Sequence, residues 1–200
     1  MKSALISIFV TLLLVSCTKN TTNPVEDKKT TEESDNSQGI FTDVSVLGQG
    51  LNGYLQIGDF APDFLINKGK AGEFSLSDLK GNVVYLEFWR TRCHICVQSM
   101  PNLVSATNSI KDKDFVVIAI STDKLENISL SAVSKFIDDF NMDNWINIYD
   151  GNTLSTSITN HYSIFGTPTS YLLDRQGRVA LKLHPDDSDF AEKVKAELAK

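Results

Sequence analysis

Two cysteines separated by two residues, set where an apolar run gives way to an amphipathic pattern, constrain this chain more than any other feature. They lie in FWRTRCHICVQSMP, residues 88–101, with Cys93 and Cys96 just beyond the apolar run at residues 83–88. That run reads as a buried strand and the segment after it as a helix, so Cys93 falls at a helix N-terminus and Cys96 in the first turn. Unpaired backbone N–H groups and the positive end of the helix dipole stabilise a thiolate there, so Cys93 can attack a disulfide at neutral pH. Cys96 is then close enough to resolve the mixed disulfide. A structural disulfide is the competing reading, but a bridge around two intervening residues removes little entropy from the unfolded chain.

The only other cysteine, Cys17, closes a targeting pattern: Lys2, an apolar stretch at residues 4–15 and the run Leu14-Val15-Ser16-Cys17. The stretch is too short to span a bilayer as a mature helix, and its end resembles a bacterial lipobox. Residues 1–16 are therefore expected to be a lipoprotein signal peptide and Cys17 the lipidated first residue, placing the protein in the cell envelope on a bacterial membrane. An ordinary signal peptide that ends near a cysteine is the alternative. Residues 17–39, nearly devoid of apolar side chains, read as a flexible tether. With 200 residues, 42% hydrophobic, the rest accommodates one domain with a sizeable core. A formal charge of −6, with no basic cluster beyond Arg90 and Arg92, excludes a nucleic-acid footprint.

Along the chain, residues 40–57 read as an irregular or short-strand lead-in, and the domain is placed at residues 58–200. A short strand is expected at Leu65-Ile66, then a turn through Lys68-Gly69-Lys70 and a brief helical turn at residues 77–79 that ends on Gly81. After the strand at 83–88 come a helix containing Pro101 as an expected kink, a buried strand at 115–120 (FVVIAI), a helix at 129–140 and a short strand at 145–149. Residues 152–162 are weakly helical. Residues 166–174 form a strand entered through Pro168, turned at 174–177 and returned at 178–183. Asp189 with Glu192 suggests a capping box on a last helix. The order predicts an α/β fold with a central mixed sheet flanked by helices on both faces.

The runs EFWRTRCHIC, YSIFGTPTSYLLD, GDFAPDF and FSLSDLKG, in that context, resemble the thioredoxin-like fold and, within it, the membrane-anchored TlpA/ResA-type thiol-disulfide oxidoreductases. The resemblance covers residues 58–200. It implies that Cys93 is the exposed nucleophile and Cys96 the resolving thiol, and that Thr167-Pro168 is a cis-proline site facing the sulfurs. Trp89, Arg92, His94, Thr167 and Pro168 become the expected substrate-binding residues. Glu87 matches the buried acid of thioredoxin; burial should raise its pKa and let it exchange a proton with Cys96. Alternatively, Glu87 points to an edge or pairs with a lysine. Partners are disulfides and thiols of exported proteins and a membrane redox partner; neither metal nor organic cofactor is required.

Departures from the family pattern sharpen these expectations. Arg92 replaces a tryptophan, His94-Ile95 replaces a pair containing proline, and Ser99 stands where relatives often have glutamate. Arg90, Arg92 and His94 put positive charge around Cys93, which favours the reduced dithiol and a less reducing couple than thioredoxin. The changes at Arg92 and Ser99 argue against a narrow role in cytochrome c biogenesis, which some relatives have. A peroxiredoxin-like peroxidase, suggested by GDFAPDF and FSLSDLKG, requires threonine three residues before its cysteine, where this chain has Arg90. A metal-binding lipoprotein using Cys93, Cys96 and His94 has few ligands to draw on, with His161 and His184 far apart in sequence.

Overall fold

A computed structural model describes residues 39–51, 53–68, 72–124, 126–151 and 157–200. The signal peptide, Cys17 and the tether up to residue 38 lie outside these residues, as do Gly69 and Lys70 of the expected turn and residues 152–156 of the weakly helical segment. No helix among the described residues is long and apolar enough to cross a membrane.

The central strand is β5, Val83–Trp89, in which all seven residues are buried. A continuous apolar run of this kind suits a strand covered on both faces. It is followed by α1 (His94–Asn108), β6 (Phe115–Ser121), α2 (Leu130–Phe140) and β7 (Ile146–Tyr149). These strands lie parallel and side by side as β5-β6-β7, joined by two crossovers through α1 and α2. Right-handed crossovers running in one direction along a sheet put both helices on the same face.

The chain then passes through the one-turn helix α3 (Ile158–His161) and returns to the other side of β5. There β8 (Thr169–Leu173) pairs antiparallel with β5, and β9 (Val179–Leu181) pairs antiparallel with β8. Ahead of β5, β1 (Ile40–Phe41) adds parallel to β7, completing the sheet order β1-β7-β6-β5-β8-β9. A second, three-stranded antiparallel sheet is formed by β2 (Val44–Val46), β3 (Phe64–Asn67) and β4 (Glu73–Ser75). The domain boundary expected at residue 58 is therefore corrected. Residues 40–46, read as an irregular or short-strand lead-in ahead of the domain, form short strands that pair into both sheets, and their partners lie far off in sequence.

Side-chain alternation on β5 divides the core in two. Val83, Tyr85 and Trp89 face a cluster with Met100 and Leu103 of α1, Phe136 of α2 and Phe190 of α4 (Phe190–Leu198). Val84, Leu86 and Phe88 face the opposite cluster with Phe64 and Ile66 of the small sheet, Ile158 and Tyr162. Thus helices cover one face, while α3 and the small sheet cover the other.

Two local features differ from the sequence expectation. Asp189 makes no side-chain cap at α4; its carboxylate instead pairs with Lys193 at 2.9 Å, one turn on. A capping arrangement stands earlier, where the Ser75 N–H donates to the Asp78 carboxylate at 2.7 Å ahead of the turn at Leu76–Leu79. Pro101 lies inside α1, where the sequence placed it.

Candidate active site

The site forms where β5 ends and α1 begins. Cys93 is the N-cap of α1, with extended backbone (φ −82°, ψ 108°), and its sulfur accepts the N–H of Cys96 at 3.2 Å. A sulfur thus occupies the place that a serine or aspartate oxygen fills at other helix starts. Cys93 and Cys96 are joined as a disulfide, with Cα atoms 5.2 Å apart. Cys96 is fully buried, and Cys93 keeps 7% of its surface, so access to the pair is through the Cys93 sulfur. Cys93 is thus less open than an exposed nucleophile, because the cis-proline loop closes over one side of it.

That loop is brought in by β8. Thr167-Pro168 is a cis peptide bond, and the Thr167 carbonyl oxygen lies 3.2 Å from Cys93 Sγ. Arg90 ties the two segments further, its Nε donating to Thr167 Oγ1 at 3.2 Å. Arg90 occupies the position where a peroxiredoxin needs threonine, and here it serves the loop. Arg92 and His94 are exposed on either side of Cys93. Beside the proline, Tyr54, Phe165, Pro168, Ser170, Leu183 and His184 help line a cleft of about 490 Å³. Tyr54 and Phe165 are exposed and meet edge to face, with ring centres 5.5 Å apart.

Glu87 is buried in mid-strand, 1% exposed, facing the same side of the sheet as Tyr85, Trp89 and the cluster containing Cys93 and Cys96. Its Oε2 accepts the Tyr85 hydroxyl at 2.9 Å and the Ser170 hydroxyl at 2.5 Å. It neither reaches an edge nor meets a lysine: its cross-strand partners are Ala119 and Ser170. Burial raises its pKa from the ordinary 4.5 to about 8, and the hydrogen bonds from Ser170 and Tyr85 offset only part of the desolvation. Tyr85, buried beside it, is pushed well above its usual range by burial and then by the neighbouring carboxyl.

Trp89 requires correction as a substrate-binding residue. Its indole is 1% exposed and stacks on Phe136 with ring centres 4.4 Å apart, so it is a core side chain that supports the site from behind. Strand alternation explains this: Trp89 is the last inward residue of β5, whereas the chain turns outward only at Arg90. Ser99 is buried and bonds back to Ile95 O at 2.9 Å within the helix. His161 is a core residue whose Nε2 lies 3.1 Å from Leu47 O, and His184 lies beyond β9, so neither joins His94 at the head of α1.

Sequence reasoning missed Asp123, which fixes the loop that carries Cys93. The Asp123 carboxylate accepts the Thr91 N–H at 2.8 Å, the Thr91 hydroxyl at 3.0 Å and the Ser121 hydroxyl at 3.0 Å. Asp123 is itself buried. An acidic residue just past a buried strand was the available signal, but its partner lies 32 residues away.

The raised pKa of Glu87 has a thermodynamic consequence. The folded protein holds this proton up to about pH 8, whereas the unfolded chain loses it near 4.5, so stability falls as pH rises between these values and is level above them. At about 1.4 kcal/mol per pH unit the full fall is roughly 5 kcal/mol. The difference in unfolding free energy between wild type and Glu87→Gln, from urea titrations of the oxidised protein, is expected to follow this slope. A difference independent of pH between 4.5 and 8 would contradict the assignment.

Residues 57–182 match the AhpC/TSA family. The chain is 32% identical over 146 residues to the thiol-disulfide oxidoreductase ResA of Bacillus cereus, covering 73% of this chain and 75% of that protein. It is likewise 32% identical over 123 residues to the thioredoxin-like protein YneN of Bacillus subtilis, covering 62% and 68%. Among solved structures, it is similar to the thioredoxin domain of a thiol-disulfide oxidoreductase from Bacteroides vulgatus, with TM-score 0.59, 27% identity and coverage of 71% of this chain and 97% of the other. A thiol:disulfide interchange protein from a Bacteroides species gives TM-score 0.56 at 28% identity, covering 73% and 92%. With its Cys93–Cys96 pair at the head of α1, the chain belongs to the AhpC/TSA family as a thiol-disulfide oxidoreductase of thioredoxin fold.

Proposed function

We propose that this enzyme is exported, anchored to a bacterial membrane by a lipid on Cys17, and acts on disulfides of other exported proteins through the Cys93/Cys96 dithiol. The observation that carries the reading is the Cys93 sulfur held at a helix N-cap, bonded to Cys96 and 3.2 Å from the carbonyl of the cis Thr167-Pro168 peptide. A sulfur placed there presents one face to the helix and one to a substrate.

The chemistry balances within these residues. The Cys93 thiolate attacks a substrate disulfide, forming a mixed disulfide and releasing the first substrate sulfur as a thiolate. The Glu87 carboxylate takes the proton of Cys96, and the Cys96 thiolate attacks Cys93 Sγ, releasing the second substrate sulfur. Two electrons have passed to the substrate; the enzyme is left as the disulfide with Glu87 protonated, the form favoured at neutral pH by its raised pKa. A membrane redox partner would return the electrons. The substrate segment lies extended along Thr167-Pro168, where backbone hydrogen bonds give affinity with little side-chain selectivity.

Support for the anchor rests on the sequence ending Leu14-Val15-Ser16-Cys17. Expressed from its own leader in a bacterial host, the wild-type protein is expected in the membrane fraction and Cys17→Ser in the soluble exported fraction. Identical fractionation of the two would refute lipid anchoring.

The Cys96→Ser variant is expected to accumulate a mixed disulfide with exported proteins, visible as thiol-sensitive bands on non-reducing gels, and Cys93→Ser is expected to accumulate none. The reverse pattern would assign the attack to Cys96. Exposed Arg92 and His94, with the Cys96 N–H, favour the Cys93 thiolate and hence the reduced dithiol. Titration against glutathione should place the couple above thioredoxin's roughly −270 mV, and Arg92→Ala should lower it. A wild-type value at or below thioredoxin's would show that these charges do not set the couple.

A further inference from the structure

Proton exchange at Glu87 needs a route to water, since the side chain is 1% exposed. Its Oε2 has two hydroxyl partners, Ser170 at 2.5 Å and Tyr85 at 2.9 Å. Both lead toward the cleft beside Pro168, by different means. Ser170 itself lines the cleft and keeps 8% of its surface. Tyr85 stops at the carbonyl oxygen of Leu183, 3.2 Å from its hydroxyl, and a carbonyl passes no proton onward. A serine hydroxyl both donates and accepts, so it can receive one proton while giving up another.

We infer that Ser170 is a positioning residue that relays the proton between Glu87 and water in the cleft beneath Pro168. This rests on the proton role proposed above for Glu87. Before Cys96 resolves the mixed disulfide, the Glu87 O–H, protonated at neutral pH, gives its proton to Ser170 Oγ as the Ser170 O–H gives its own to a water in the cleft, which frees the carboxylate to take the Cys96 proton. Only O–H bonds break and form: one proton leaves as hydronium, Glu87 is left a carboxylate and Ser170 is unchanged. Rotation of the serine hydroxyl back toward Oε2 resets the path.

Among the described residues, uncharged groups face Glu87 on the neighbouring strands, and charged ones line the cleft. β6 contributes Ala119 opposite it and β8 contributes Ser170. Its own strand supplies Tyr85, and α1 supplies Cys93 and Cys96 in the same cluster. Lys182 and His184 line the cleft, and Asp187 acts on Tyr85 from the segment before α4. Ser170 is also the foremost group holding the Glu87 pKa down against burial.

The experiment mixes the reduced full-length protein with excess oxidised glutathione and follows resolution of the glutathione mixed disulfide by rapid acid quench from pH 5.5 to 9.5. Wild type, Ser170→Ala, Ser170→Thr and Glu87→Gln are compared. The wild-type rate is expected to rise through an inflection near pH 8, the value set by Glu87. Ser170→Ala should move that inflection upward by at least half a pH unit and slow resolution at pH 7 about five-fold, and Ser170→Thr, which restores a hydroxyl, should recover both to within about two-fold. Glu87→Gln should lose the inflection.

A Ser170→Ala profile that matches wild type, or is slowed equally at every pH, overturns the relay while leaving the Glu87 role intact. If Glu87→Gln keeps the wild-type inflection, the Glu87 role fails and the relay fails with it.

Discussion

Antiparallel pairing of β5 with β8 is the constraint on which the site depends. One register sets Phe88 opposite Thr169 and Glu87 opposite Ser170. Because β8 begins one residue after Pro168, the first pair draws the cis peptide over the Cys93 sulfur at the end of β5. The second gives the buried carboxyl a hydroxyl partner. A slip of one residue would turn Ser170 to the opposite face and set Thr169 or Tyr171 against Glu87 in its place. Sheet topology therefore builds the redox centre and its proton partner together.

Electrostatics at the site run in two opposite directions within one strand turn. At the mouth, Arg90, Arg92, His94 and the Cys96 N–H favour negative charge on the Cys93 sulfur, although the protein as a whole carries −6. Behind it, desolvation dominates, and two hydroxyl hydrogen bonds on Glu87 do not overcome it. The proposed exchange uses both: the outer sulfur attacks as thiolate, and an acid whose pKa lies near 8 can give up its proton, take that of Cys96 and hold it afterwards.

Strong local patterns made much of the fold legible. The apolar runs at β5 and β6, the amphipathic spacing of α2 and the turn residues between β8 and β9 each carry their own signal. The Cys93/Cys96 spacing and the Gly166-Thr167-Pro168 run marked the two halves of the site. Features made of pairs distant in sequence were not legible. The strand at Ile40–Phe41 exists because it pairs with β7, and Asp123 matters because Thr91 lies above it. Trp89 was misjudged for the same reason: its neighbours in sequence suggested the site, while its contact with Phe136 placed it in the core.

By itself, the sequence determined the chemistry: two thiols at a helix start, a carboxyl in an apolar strand, basic residues beside the first cysteine and a proline preceded by threonine. These are local, because a residue's type and its near neighbours decide whether a thiolate is stabilised or a strand is buried. Only the tertiary structure decided which groups meet: the Thr167 carbonyl over Cys93, 74 residues away, and the Ser170 hydroxyl on Glu87, 83 residues away. Such contacts depend on strand order and register, which arise when the whole core is buried at once and so cannot be read from any one stretch of chain.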